Sequence, residues 1–182
     1  KGGSNLWALP LEGEIPVEDH AEEQIELSRK LASRLPPDLH LAVLGYYKVL
    51  EQFSGQEPFG AKAAYAIGKL YERLKMPDAA EGAYRLASES FSKTLHESAI
   101  SRIHLIGIQT RRQLNQTPTE THKHDLLKEA HFKLDAIRAQ YPGIPRVEAR
   151  SRIERARLST EFRKDSESLL EAIRLLEGVV KM

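Results

Sequence analysis

Apolar and small side chains return every three or four positions through most of this chain, the period of a helix with one buried face. Breaks fall at Pro and Gly clusters and divide the pattern into eight helices. The first is expected from Val17 to Arg34. Glu18, Asp19, Glu22 and Glu23 crowd the positive end of its dipole, and Ile25, Leu27, Leu31 and Leu35 form its apolar side. Pro36-Pro37-Asp38 interrupts the chain, and a second helix runs from Leu39 to Phe53, ended by Ser54-Gly55 with Gly as a left-handed cap. Helices three and four are expected over Phe59–Lys75 and Pro77–Lys93, with Met76-Pro77-Asp78 as the turn between them. Pro cannot continue a helix interior, but it suits the first turn of the next one.

The fifth helix covers Leu95–Leu114, and a polar loop, Asn115 to Thr119, follows. The sixth spans His122–Gln140 with Ala130, Leu134 and Ile137 facing inward. Tyr141-Pro142-Gly143-Ile144-Pro145 stops it sharply. Arg146–Phe162 and Ser166–Lys181 complete the set, the last capped by Asp165 or Ser166 and carrying Ala172, Leu176 and Val179 inward. Eight helices would pair as four antiparallel hairpins. Residues 1–16, KGGSNLWALPLEGEIP, lack a helical period and read as a linker or extended strap, so the helical domain is expected over 17–182. Leu6, Trp7, Leu9 and Leu11 would pack on the first helices; a docking motif for another protein is the alternative.

Within this pattern the window Ala64 to Ala87 is the most regular. Small or aromatic residues stand at Ala64, Ile67, Gly68, Tyr71, Ala80, Tyr84 and Ala87. Gly68 and Ala80 would let two helices cross closely while Tyr71 and Tyr84 fill the flanks. The spacing recurs: Ala42, Tyr46 and Val49 repeat that of Ala80, Tyr84 and Ala87, and Ile103, Ile106 and Gly107 repeat Ala64, Ile67 and Gly68 at a step of 39 residues. The window resembles the tetratricopeptide repeat (TPR), a helix–turn–helix unit with a period of about 34 residues. That resemblance implies an all-α solenoid of about four hairpins and a scaffold for other proteins.

A second stretch, Leu134 to Ile153, has Tyr141-Pro142, Pro145 and Ala149-Arg150. It resembles the junction between repeats in bacterial envelope TPR proteins, such as the lipoprotein partner of the outer-membrane β-barrel assembly machine. Arg146 stands where those proteins usually carry an aromatic. The match covers about 20 residues, little more than half a repeat. It implies a cell-envelope assembly or lipoprotein-associated adaptor as the alternative function.

Composition narrows the chemistry. The net charge of +1 argues for neither a general nucleic-acid coat nor an acidic tail. The charge is uneven, however: residues 1–30 hold three basic and seven acidic side chains, and 101–163 hold thirteen and seven, so an acidic N-terminal end and a basic third quarter are the electrostatic layout. Absence of cysteine excludes disulfides, thiolate metal sites and a cysteine nucleophile, and leaves cytoplasm and periplasm both open. No apolar run approaches the roughly 18 residues of a membrane span. His122, His124 and His131 with Asp125 would offer nitrogen and oxygen ligands, but 122 and 124 do not share a helix face, so a solvated loop is the better reading. There is no Gly-rich phosphate loop and no strand–turn–helix elbow for a nucleophile, so neither enzyme activity nor a cofactor is expected. RNA-reading helical repeats need a near-constant period, which the 39-residue step and the Asn115–Thr119 insertion spoil; a nucleic-acid-binding repeat is the alternative from another class.

Carrying the groove-facing positions of TPR proteins onto this sequence selects Lys62, Tyr65, Lys69, Glu72 and Arg73 on the third helix. On the fifth it selects Ser101, His104, Ile108, Arg111 and Arg112. The seventh would add Arg150, Glu154 and Arg157. These positions imply a basic concave groove that takes a protein or peptide segment of acidic character, with homo-oligomerisation left open.

Overall fold

The computed structural model describes residues 15–53, 55–91, 94–162 and 166–180, apart from the side chains at 95, 167, 168 and 180. Among these the chain is all-α, with eight helices: α1 (Ala21–Ser33), α2 (Leu39–Gln52), α3 (Glu57–Arg73), α4 (Pro77–Glu89), α5 (Leu95–Gln116), α6 (Glu120–Gln140), α7 (Pro145–Phe162) and α8 (Ser166–Val180). Their contacts form two compact units, Lys1–Ser98 and Ala99–Met182, with the boundary inside α5. Most of the expected strap, residues 1–14, lies outside the described residues.

Helix ends differ from the sequence expectation where side chains intervene. α1 starts at Ala21, four residues after Val17, because His20 is extended and the Glu18 N–H is taken by the Gln24 side chain at 2.8 Å. It stops at Ser33, which leaves Leu35, expected on its apolar side, 96% exposed. Asp38 opens α2 by accepting from the Leu41 N–H at 3.0 Å. Phe53 closes α2, its N–H returning to the Val49 carbonyl ahead of the Ser54-Gly55 pair. α4 ends at Glu89, short of Lys93, and the chain turns so that the buried Phe91 ring covers Gly60 on α3.

In the first unit α1 packs on α2, α2 on α3 and α3 on α4, and α1 also reaches α3. Short connections make neighbours antiparallel. Close approach rests on three glycines. Ser28 Oγ and Ile15 lie where Gly45 would carry a Cβ; Phe91 does the same at Gly60; and the Tyr84 ring stands 2.5 Å from a Cβ built on Gly68. Gly68 is therefore a packing notch, as its spacing suggests, and Tyr84 is what fills it. Ala80, Tyr84, Ala87, Ile67 and Tyr71 are all buried around it.

The second unit is built on α7. α6 and α8 pack against it. Ser151 Oγ donates to the Leu134 carbonyl at 3.1 Å, and Arg155 spans both neighbours, to Asp135 on α6 at 2.9 Å and to Glu171 on α8 at 2.8 Å. Ala130, Leu134 and Ile137 point inward as expected. Of the three residues expected inward on α8, Ala172 is buried and Val179 half-buried. Leu176, expected inside, is 43% exposed and belongs to an outer apolar stripe with Leu169, Leu170 and Ile173. The sharp stop after α6 places Gly143 at φ +75, the left-handed region that favours glycine.

Candidate functional site

On α3 the expected binding residues lie along one side of the helix. Lys62 is exposed, with its Nζ 5.5 Å from the Phe59 ring centre, which fixes its stem while the charge faces water. Tyr65 is half-buried and packs on Tyr84, ring centres 6.0 Å apart. Lys69 is exposed and Glu72 half-buried. Arg73 is exposed and its Nη1 donates to the Ala32 carbonyl at 3.3 Å. A cation there complements the negative end of α1, so Arg73 ties α3 to α1 as well as carrying charge.

On α5 the expectation of an open groove does not match the burial. Ser101, His104 and Ile108 are 0%, 1% and 7% exposed. Along the same helix, α7 supplies partners to His104 and Arg111. Arg150 Nη2 donates to His104 Nδ1 at 3.3 Å, which makes that nitrogen the acceptor. Arg111 Nη2 donates to Glu154 Oε1 at 2.7 Å, and its Nε to Glu161 Oε2 at 2.9 Å. Glu154 is 2% exposed, and its second oxygen lies 3.9 Å from Arg157 Nη1. The carboxylate fits because Gly107, directly facing it on α5, has no Cβ. Burial alone would lower the Arg111 pKa, but the two carboxylates outweigh it and hold the guanidinium above its usual range. Arg111 is thus committed within the protein; Arg112, one residue on, is exposed.

Numbers rise together across this contact (104 with 150, 107 with 154, 111 with 161), so α5 and α7 run parallel. Between α6 and α7 they run opposite, 131 with 159 and 134 with 151. The seam between α5 and α7 is therefore polar and charged, yet internal.

The histidines of the sixth helix separate. His122 Nδ1 meets the hydroxyl of Thr119, the residue that opens α6, at 2.5 Å, and His131 Nε2 meets Ser159 Oγ at 3.3 Å. Among the described residues no three His, Asp or Glu side chains gather as a metal-ligand set, and no helix is long and apolar enough to cross a membrane. Glu161 and the notch at Gly107 escaped the sequence reading; the only hint was that Gly107 repeats the spacing of Gly68. Comparisons of the chain with protein-family models, with curated proteins and with solved structures return no match.

Proposed function

We propose that this chain is a TPR-like helical repeat that works as a non-catalytic scaffold, taking an acidic segment of a partner protein on exposed basic side chains of its odd-numbered helices, α3 in the first unit and α5 and α7 in the second. The observation that carries the reading is that second-neighbour helices touch, α1 with α3 and α5 with α7. Stacked hairpins bring alternate helices together in this way, and such repeats recognise partners along the surface those helices line. The charge supports an acidic partner. Lys62, Lys69, Arg73 and Arg112 are exposed on α3 and α5, and Arg150 and Arg157 extend the set on α7. Ser101, His104 and Ile108 serve in this reading as the packed floor under α7 and not as contacts.

The test begins with affinity purification from the native source and identification of what co-purifies. That protein is then titrated against wild type and the double variant Lys69→Ala with Arg112→Ala at two salt concentrations. The reading expects weaker binding in the variant and at higher salt, because contacts of exposed charges are screened over about 10 Å at 0.1 M salt. Equal affinity in all four measurements would move the interface elsewhere and remove the basic face from the proposal.

A further inference from the structure

Resting on that reading, we propose that Arg150 is the point at which a carboxylate of the partner is anchored. The arginines around it are spoken for. Arg111 is held by Glu154 and Glu161, Arg152 by Glu148, and Arg155 by Asp135 and Glu171. Arg150 has no carboxylate partner among the described residues; its hydrogen bond goes to a histidine nitrogen. It is nevertheless part-buried, and its Nε is sealed from solvent with no acceptor. A shielded guanidinium without an anion keeps the cost of lost hydration and gains little from an imidazole lone pair. On α5, one turn before His104, the Ser101 hydroxyl is fully buried and also lacks a hydrogen-bond partner. Arg150 therefore presents a cation that no carboxylate of the described residues pairs with.

The chemistry favours a carboxylate over a phosphate. Arg150 supplies one positive charge, and Glu154, one helical turn along α7, faces the same seam. A monoanion matches that field; a phosphate dianion would meet a single cation and a nearby carboxylate. Because Nε is sealed while the residue is part-exposed, the ligand meets the Nη end of the guanidinium, whose two parallel N–H groups fit a planar carboxylate. His104, accepting through Nδ1, holds that end in place.

The probes are a hexaglutamate peptide, its hexaglutamine counterpart and inorganic phosphate, each titrated into the whole chain. The readouts are affinity and the nuclear magnetic resonance signals of the Arg150 Nε–H and the His104 ring. The proposal expects hexaglutamate to shift both signals, hexaglutamine to shift neither, and phosphate to bind more weakly. Arg150→Gln should lower hexaglutamate affinity at least about tenfold, the size of losing one charge-assisted contact. Should that variant fail to fold, Arg150→Lys keeps the charge without the fork and should still bind several-fold more weakly. Hexaglutamate that binds wild type and Arg150→Gln alike would overturn the anchor and leave the basic face standing. No binding to either would overturn both readings, and phosphate binding tighter than hexaglutamate would overturn the carboxylate.

Discussion

The carboxylate of Glu154 on α7 occupies the space that a Cβ at residue 107 of α5 would need, and Arg111 pins it there at 2.7 Å. Alanine at 107 gains about 1 kcal/mol of helix propensity over glycine. Against this, it must push a buried, paired carboxylate aside, and overpacking costs about 1–3 kcal/mol before the ion pair is counted. Gly107→Ala is therefore expected to destabilise by about 1–2 kcal/mol net of that gain. Gly82, on α4 with open space around it, supplies the control: Gly82→Ala should stabilise by about 1 kcal/mol. In a Glu154→Ala background the sign at 107 should reverse. Urea midpoints of the four variants check this, and a stabilising Gly107→Ala in the native background would show that Glu154 moves freely.

At the equivalent place in the first unit the notch of Gly68 is filled by an aromatic ring, with three Tyr84 carbons within 2.8 Å of a built Cβ. Tyr84 is fully buried and cannot swing out to water. Gly68→Leu should cost about 3 kcal/mol, at the upper end of overpacking effects, and lower the thermal midpoint. An unchanged midpoint would remove the notch from the account of how α3 and α4 meet.

These two glycines mark what was legible in the sequence and what was not. The helices are readable because their breakers are local: Pro77 and Pro145 open α4 and α7, and Asp38 caps α2. Gly68 is readable because its filler, Tyr84, lies on the next helix, within the same repeated spacing. Gly107 shares the spacing, yet its filler comes from two helices on and is charged. Hydrophobic periodicity assigns Ser101, His104, Arg111 and Glu154 to the surface because each is polar alone. Three of them are held by pairing across 43 to 50 residues of chain, Arg111 with Glu154 and Glu161 and His104 with Arg150, a pairing with no local signature. Leu35 and Leu176 erred the other way, apolar residues on the period that the helix end or the outermost helix leaves in water.

The turn from α3 to α4 makes its own prediction. Lys75 has φ 61, in the left-handed region, and two backbone bonds close the helix end: Lys75 N–H to the Glu72 carbonyl at 3.1 Å and Met76 N–H to the Tyr71 carbonyl at 2.9 Å. This pair of bonds is the Schellman arrangement, which normally places glycine at the left-handed position. A lysine there bears the steric cost of its Cβ, about 1–2 kcal/mol, partly offset by a less flexible unfolded chain. Lys75→Gly should thus stabilise by about 0.5–1 kcal/mol, and Lys75→Val should destabilise. A lower urea midpoint for the glycine variant would mean that the lysine side chain itself contributes at this corner.

A hydroxyl pair between α2 and α3 sets the response to alkali. Tyr47 and Tyr71 place their oxygens 3.3 Å apart. Burial, first, and then the hydrogen bond to Tyr71 push the Tyr47 pKa well above its ordinary value of 10.0. On α2 Tyr46 is also raised, chiefly by burial, with Arg29 opposing and Glu26 adding to the rise. The folded state therefore prefers the neutral phenols. Their contribution is fully present below the unfolded value near 10 and is lost as pH rises above it toward the folded pKa, because the unfolded chain releases these protons first. One such group steepens the loss by at most about 1.4 kcal/mol per pH unit, and by less where solvent screens it. Tyr47→Phe removes one of the two groups. It should cost about 0.5–1.5 kcal/mol at neutral pH, the worth of one hydrogen bond, yet fall less steeply than wild type above pH 10. Urea midpoints at intervals from pH 8 to pH 11.5 separate the two effects. Parallel curves for wild type and Tyr47→Phe would show that the Tyr47 phenol ionises no later in the folded protein than in the unfolded one.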